Sequence, residues 1–215
     1  MVLWSTPPWA SEEVASVTEI QEIQNAHLRL TRFNLDIEIR GMSGARPLHA
    51  QVQCLDAHWC VRSIGFIRVL QTPHWTIAID DGNRQLTIAR QASGASSAPQ
   101  SVDPSVLLAA WGKNGGRISR GKLTVDGQQW TVDSPRDNPK RSEFYTDPIS
   151  HLLRRVSYKI GLDGASTMDI VYRWLNASDL NAAAFEEATY ITDNGGNVVP
   201  ASGYDAYRII QTDRR

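Results

Sequence analysis

The side chains best suited to chemistry are few and scattered. Histidines stand at His27, His49, His58, His74 and His151, cysteines at Cys54 and Cys60, and adjacent carboxylates at Asp80-Asp81 and Glu186-Glu187. Acyl transfer by serine would use a strained elbow of the GxSxG type; none is present, and Gly41-Met42-Ser43-Gly44 lacks the second glycine at the required place. Metal-assisted hydrolysis on an HExxH helix is absent too. Cys54, His58 and Cys60 would supply three zinc ligands at most, at a spacing that matches no zinc pattern. No Walker A or GxGxxG loop offers backbone amides to a phosphate. The carboxylate pairs fall where a hairpin turn and a helix end call for polar residues. The sequence therefore names no catalytic residue, metal site or cofactor, and it predicts a protein that is not an enzyme.

The cysteines have a second use. In QVQCLDAHWCVRS, Asp56-Ala57-His58 reads as a turn that would set Cys54 and Cys60 across two strands, a geometry a disulfide tolerates. A bridge would indicate an oxidising compartment. Two free, buried thiols are the alternative.

These residues must be positioned by sheet. In WTIAIDDGNRQLTIAR, Trp75, Ile77 and Ile79 alternate with polar or small residues, Asp81-Gly82-Asn83 turns, and Leu86 and Ile88 alternate again. That is a hairpin with one apolar face. Phe33 to Ile39 alternates in the same way, Leu48 to Cys54 is a further strand, and Cys60 to Leu70 is apolar on both faces, as in a strand covered on both sides. GKLTVDGQQWTVDSP predicts a hairpin turning at Asp126-Gly127, followed by strands at 156–160 and 168–174 and an edge strand in YRIIQTDRR. Two helices interrupt the strands. One spans 11–26, capped by Ser11, with a stripe of Val14, Val17, Ile20 and Ile23. The other is short, started by Asp103-Pro104, with Val106, Leu107, Ala110 and Trp111 on its apolar side. Residues 182–187 predict one helical turn. About nine or ten strands joined by short turns imply a mostly antiparallel α+β fold with helices on one face of the sheet.

Composition narrows the partners. The chain has 215 residues, 22 basic and 23 acidic, for a net charge of −1. No strong field is available to attract nucleic acid or an anionic membrane surface. Arg154, Arg155 and Lys159 cluster on what reads as a solvated strand face. No run approaches the ~20 apolar residues of a membrane span. The start, MVLWSTPPWASEE, has neither the basic nor the apolar region of a signal peptide, which fits a cytoplasmic chain or one whose signal has been removed. Residues 1–10 are expected to be an extended N-terminal segment and 11–215 a single domain.

The order of motifs resembles the LolA-like family, the outer-membrane lipoprotein carriers and their relatives. The pieces are the N-terminal helix with its alternating strand, WTIAIDDGNRQLTIAR, VDPSVLLAAW, GKLTVDGQQWTVDSP, LNASDLNAAAFEEATY and YDAYRIIQTDRR. The resemblance implies a strongly curved, incomplete antiparallel β-barrel with helices covering the concave face. It implies an apolar cavity for lipid or lipoprotein acyl chains, lined by Val17, Ile20, Phe66, Trp75, Ile77, Ile79, Leu86, Ile88, Leu107 and Trp111. It also implies a periplasmic monomer, with envelope transport proteins as further partners, and a lid-locking arginine in the region of Arg62 and Arg68. An interaction module with a filled core is the rival reading, and an unrecognised hydrolase a third.

Overall fold

Near residue 30 the apolar period changes from helical to alternating, and the chain passes from helix to sheet. In the computed structural model, residues 13–41, 46–56, 59–91, 116–133, 141–160 and 166–212 are described. They are mostly strand. The strands are β1 (Glu13–Val14), β2 (Phe33–Arg40), β3 (Leu48–Asp56), β4 (Trp59–Ile64), β5 (Ile67–Gln71), β6 (Trp75–Asp80) and β7 (Gln85–Arg90). Then come β8 (Arg117–Thr124), β9 (Gly127–Asp133), β10 (Arg141–Thr146), β11 (Leu153–Ile160), β12 (Ser166–Leu175), β13 (Ile191–Asn194), β14 (Asn197–Pro200) and β15 (Arg208–Gln211). Among the described residues, thirteen of these belong to one large sheet that does not close, and β13–β14 form a separate hairpin. The residues group into two compact units, and β2 and β12 each run from one into the other.

The first unit holds helix α1 (Val17–Leu28) and the order β1-β8-β9-β10-β11-β12, antiparallel throughout. The helix starts later than the predicted 11–26. Ser16 caps it: its hydroxyl accepts from the Glu19 amide (3.2 Å), and the Glu19 carboxylate accepts from the Ser16 amide (2.9 Å). Val14 pairs in β1 instead, and Ser11 lies outside the described residues. The buried stripe is accordingly Ile23 and His27, four residues apart, while Val17 is 73% exposed and Ile20 half-buried. His27 Nδ1 donates to the Ile23 carbonyl (2.8 Å), and its Nε2 accepts from the Leu153 amide (3.1 Å). These roles define a neutral imidazole used as a structural clip.

Gly127 opens β9 rather than sitting in the turn, which is formed by Val125 and Asp126. It has φ +124°, and a Cβ there would lie 2.3 Å from the Thr146 carbonyl oxygen. Trp130 stacks on Phe144 at 5.9 Å and donates its indole N–H to Thr146 (3.0 Å). Two members of the basic cluster are paired locally. Arg155 reaches Asp126 and Asp169, each at 2.9 Å, and Arg154 reaches Asp147 at 2.6 Å.

The second unit follows the order β2-β3-β4-β5-β6-β7-β15. The expected strand from 60 to 70 is two strands, with Ile64 opposite Ile67 and a two-residue turn at Gly65-Phe66. Gly65 takes φ +56°, the conformation a tight hairpin asks of its first turn residue. β15 is the edge strand the tail predicted, but it runs parallel to β7, with Ile209 beside Leu86. The expected helical turn at 182–187 is present as 3-10 turns at Ala182–Phe185 and Glu187–Thr189. Residues 1–12 and 92–115 lie outside the described residues, and with them the predicted 103–112 helix.

Candidate functional site

Strands β2–β7 of the second unit give the sheet two faces, set by alternation and by the registers Val61↔Leu70↔Ile77↔Ile88 and Val52↔Arg62↔Val69. The first face answers the period-two pattern of the 75–90 hairpin. Trp75, Ile77, Ile79, Leu86 and Ile88 are buried together with Val61 and Leu70. The cover is the chain's own C-terminal segment: Phe185, Tyr190 and Ile191 complete this core, with Leu180, Ala184 and Tyr204 packed against it. Asn176 and Asn181 cap the turns that bring this segment over the sheet. The Tyr190 hydroxyl donates to the Ala184 carbonyl (3.0 Å), and the rings of Tyr190, Tyr204 and Tyr207 follow one another at 5.3 and 4.9 Å.

Several charged side chains at the rim of this face are paired. Arg68 donates to both oxygens of Asp81 (3.2 and 3.1 Å) and to the Tyr204 hydroxyl (3.2 Å), and Tyr207 donates to Asp81 (2.8 Å). Burial pushes the Asp81 carboxyl up, but the hydrogen bonds from Arg68 and Tyr207 outweigh it and leave the pKa lowered. Arg90 lies 4.9 Å over the Trp75 ring and pairs with Asp193 at 3.1 Å. Asp80 caps its own turn by accepting from the Asn83 amide (2.9 Å) and side chain (2.8 Å). Glu187 accepts from Thr72 and faces His74 at 3.3 Å. Asp80, Asp81 and Glu187 thus hold turns and covers.

On β2 and β3 the same face is polar. Gln51 donates to Asn34 (3.3 Å) and Asp36 (3.1 Å), and Arg173 to Glu38 (3.1 Å). With His49 and Ser63 these side chains line an open groove of about 290 Å³. A second groove, of about 240 Å³ in the first unit, runs between Glu19, Arg120, Trp130 and His151. Among the described residues no three of His, Cys, Asp and Glu gather as metal ligands, and no helix is long and apolar enough to cross a membrane.

The opposite face is apolar where the first is polar. Leu35 (3% exposed), Ile37 (5%) and Val52 (3%) occupy β2 and β3, and Val69 lies half-buried on β5. Cys54 and Cys60 are opposite each other in register and joined by a disulfide, both buried. Arg62 projects from this surface between Val52 and Val69. Sequence reasoning placed no ligand here; the alternation of Leu35, Ile37 and Val52 was its signal.

The expected cavity residues are placed as follows. The five hairpin residues lie in the filled core, Ile20 and Val17 are on α1, and Phe66 is at the tip of the β4–β5 turn, 78% exposed. Leu107 and Trp111 lie outside the described residues.

No protein-family model matches the chain, and no curated protein does. Solved structures do. A protein described as an uncharacterized conserved protein from Thermus thermophilus aligns at 12% identity over 92% of this chain and 100% of its own, with a TM-score of 0.49. The neighbours include a LolA superfamily protein from Nitrosomonas europaea, at 10% identity over 79% and 96% with a TM-score of 0.33. LprF from Mycobacterium bovis aligns at 11% identity over 78% and 97%, with a TM-score of 0.38.

Proposed function

We propose that the protein is a non-catalytic carrier of lipid or lipoprotein acyl chains, working in the periplasm in envelope lipoprotein trafficking. The observation that carries this reading is the second apolar face. An open antiparallel sheet commonly packs one face and wets the other. Here the hairpin face already has its core, yet Leu35, Ile37 and Val52 on the reverse are also apolar and buried. Such a surface suits a partner that is itself aliphatic. Each CH₂ removed from water contributes about 0.8 kcal/mol, so a few acyl chains bind firmly. The Cys54–Cys60 disulfide fits an oxidising compartment. In this reading the acyl surface is Leu35, Ile37, Val52 and Val69 rather than the hairpin residues.

Extraction of the purified protein with organic solvent, followed by mass spectrometry, tests it. A co-purifying amphiphile at near one equivalent, or uptake of added lipid after extraction, is the expected result. No bound lipid and no uptake would end the reading. The filled hairpin core and the exposed Ile64, Phe66 and Ile67 at its neighbouring turn favour a second one, an interaction module without cargo.

A further inference from the structure

We propose that Arg62 is the receptor for an oxyanion, the carboxylate or phosphate head of an amphiphile whose chain lies on the Leu35, Ile37 and Val52 face. The chain's placement rests on the carrier reading; the anion site does not. Arg62 stands in the middle of β4, flanked in register by Val52 and Val69, so its head group rises from an aliphatic surface. On its own strand, Cys60 behind it is buried in the disulfide, and Ile64 ahead of it is exposed. The side chain therefore lies between the closed and the open end of this face.

Its Nε and Nη2 atoms are both buried, and neither has a hydrogen-bond partner among the described residues. Those two N–H groups form one edge of the guanidinium. They point the same way, at the spacing of two oxygens on one carboxylate or phosphate. A buried charged donor without an acceptor is costly. Burial is the one influence on this guanidinium, lowering its pKa, with no carboxylate to offset it. Arg68, on the next strand but the other face, has all of this supplied from within the chain. The missing acceptor of Arg62 comes from outside it: an oxyanion for the donor edge, with an aliphatic remainder for the surrounding valines.

The test titrates delipidated protein, as wild type, Arg62→Met and Arg62→Lys, with four probes. These are myristate, myristoyl lysophosphatidate, uncharged monomyristoylglycerol and inorganic phosphate. Wild type should bind the charged amphiphiles roughly tenfold tighter than the uncharged one, the scale of a charge-assisted bidentate pair. The better charged probe identifies the head as carboxylate or phosphate. Arg62→Met should erase the preference, and Arg62→Lys, which keeps the charge but lacks the paired edge, should lose most of it. Arg62→Lys also serves if Arg62→Met fails to fold. A preference that survives both substitutions, or wild type without one, overturns the proposal. Uncharged amphiphile bound equally by all three proteins, with no charge preference, would keep the carrier and remove the anion site. Arg62-dependent phosphate binding without amphiphile uptake would do the reverse. Failure of every probe removes both.

Discussion

Arg62 and Arg68 sit on neighbouring strands and project from opposite faces of the same sheet, and their surroundings could hardly differ more. Arg68 lies at the rim of a finished core, bonded to Asp81 and Tyr204 and 6.0 Å from the Tyr190 ring centre. Arg62 lies among aliphatic side chains with the Nε–Nη2 edge unpaired. The difference separates two kinds of buried surface. The hairpin face is an interior: the chain supplies its cover, its aromatic packing and its rim of ion pairs. The reverse face is apolar, and its Leu35, Ile37 and Val52 are just as buried, yet it carries a guanidinium edge that the described chain does not satisfy.

The most severe way to break this contrast is Ile79→Asp. It puts a charge in the closed core, where Ile79 has no exposure, and should cost roughly 4 kcal/mol or more of unfolding free energy by urea titration. Phe66→Asp, at the exposed turn, should stay within about 0.5 kcal/mol. If the two variants melt alike, the hairpin face is not an interior.

Next is the disulfide on the reverse face. Cys54→Ser with Cys60→Ser should lower stability by about 2 kcal/mol, the chain-entropy value for so small a loop. Thiol titration of denatured, unreduced wild type should find no free thiol; two would contradict the bond.

The arginines themselves give a smaller and more telling difference. Arg68→Met strands Asp81 and Tyr204 and should cost about 1 kcal/mol, moderated by partial exposure of the pair. Arg62→Met removes an unpaired charge from apolar surroundings and should leave the urea midpoint unchanged or raised. Equal losses would mean that Arg62 has partners after all.

The smallest effect is acid sensitivity at the hairpin rim. The folded-state pKa of Asp81 is depressed, so its stabilising contribution is present above the unfolded carboxylate value near ~3.9 and is lost as pH falls through the folded one. Urea midpoints measured between pH 6 and 2 should therefore fall less steeply for Asp81→Asn than for wild type.

Much of this was legible in the residues. Alternation in Phe33–Ile39 and Trp75–Asp80 marked both strands and both buried sets, and the Cys54–Cys60 spacing allowed the cross-strand bridge without deciding it against two free thiols. The helix start was misplaced because Ser11-Glu12-Glu13 and Ser16 with Glu19 are both plausible caps, and only the pairing of Val14 in β1 decides between them. The hairpin within 60–70 was missed because apolar residues flank Gly65 on both sides, hiding the turn inside a continuous run.

The sequence alone determined which side chains share a face, because a strand alternates with a period of two and needs no distant information to do so. It could not say what lies on each face. Phe185, Tyr190 and Tyr204 reach the hairpin from far along the chain, and Arg68 meets Tyr204 across a separation of 136. Only the tertiary structure, by closing one face with its own chain and leaving the Arg62 edge unpaired on the other, made two similar apolar patterns into a core and a candidate site.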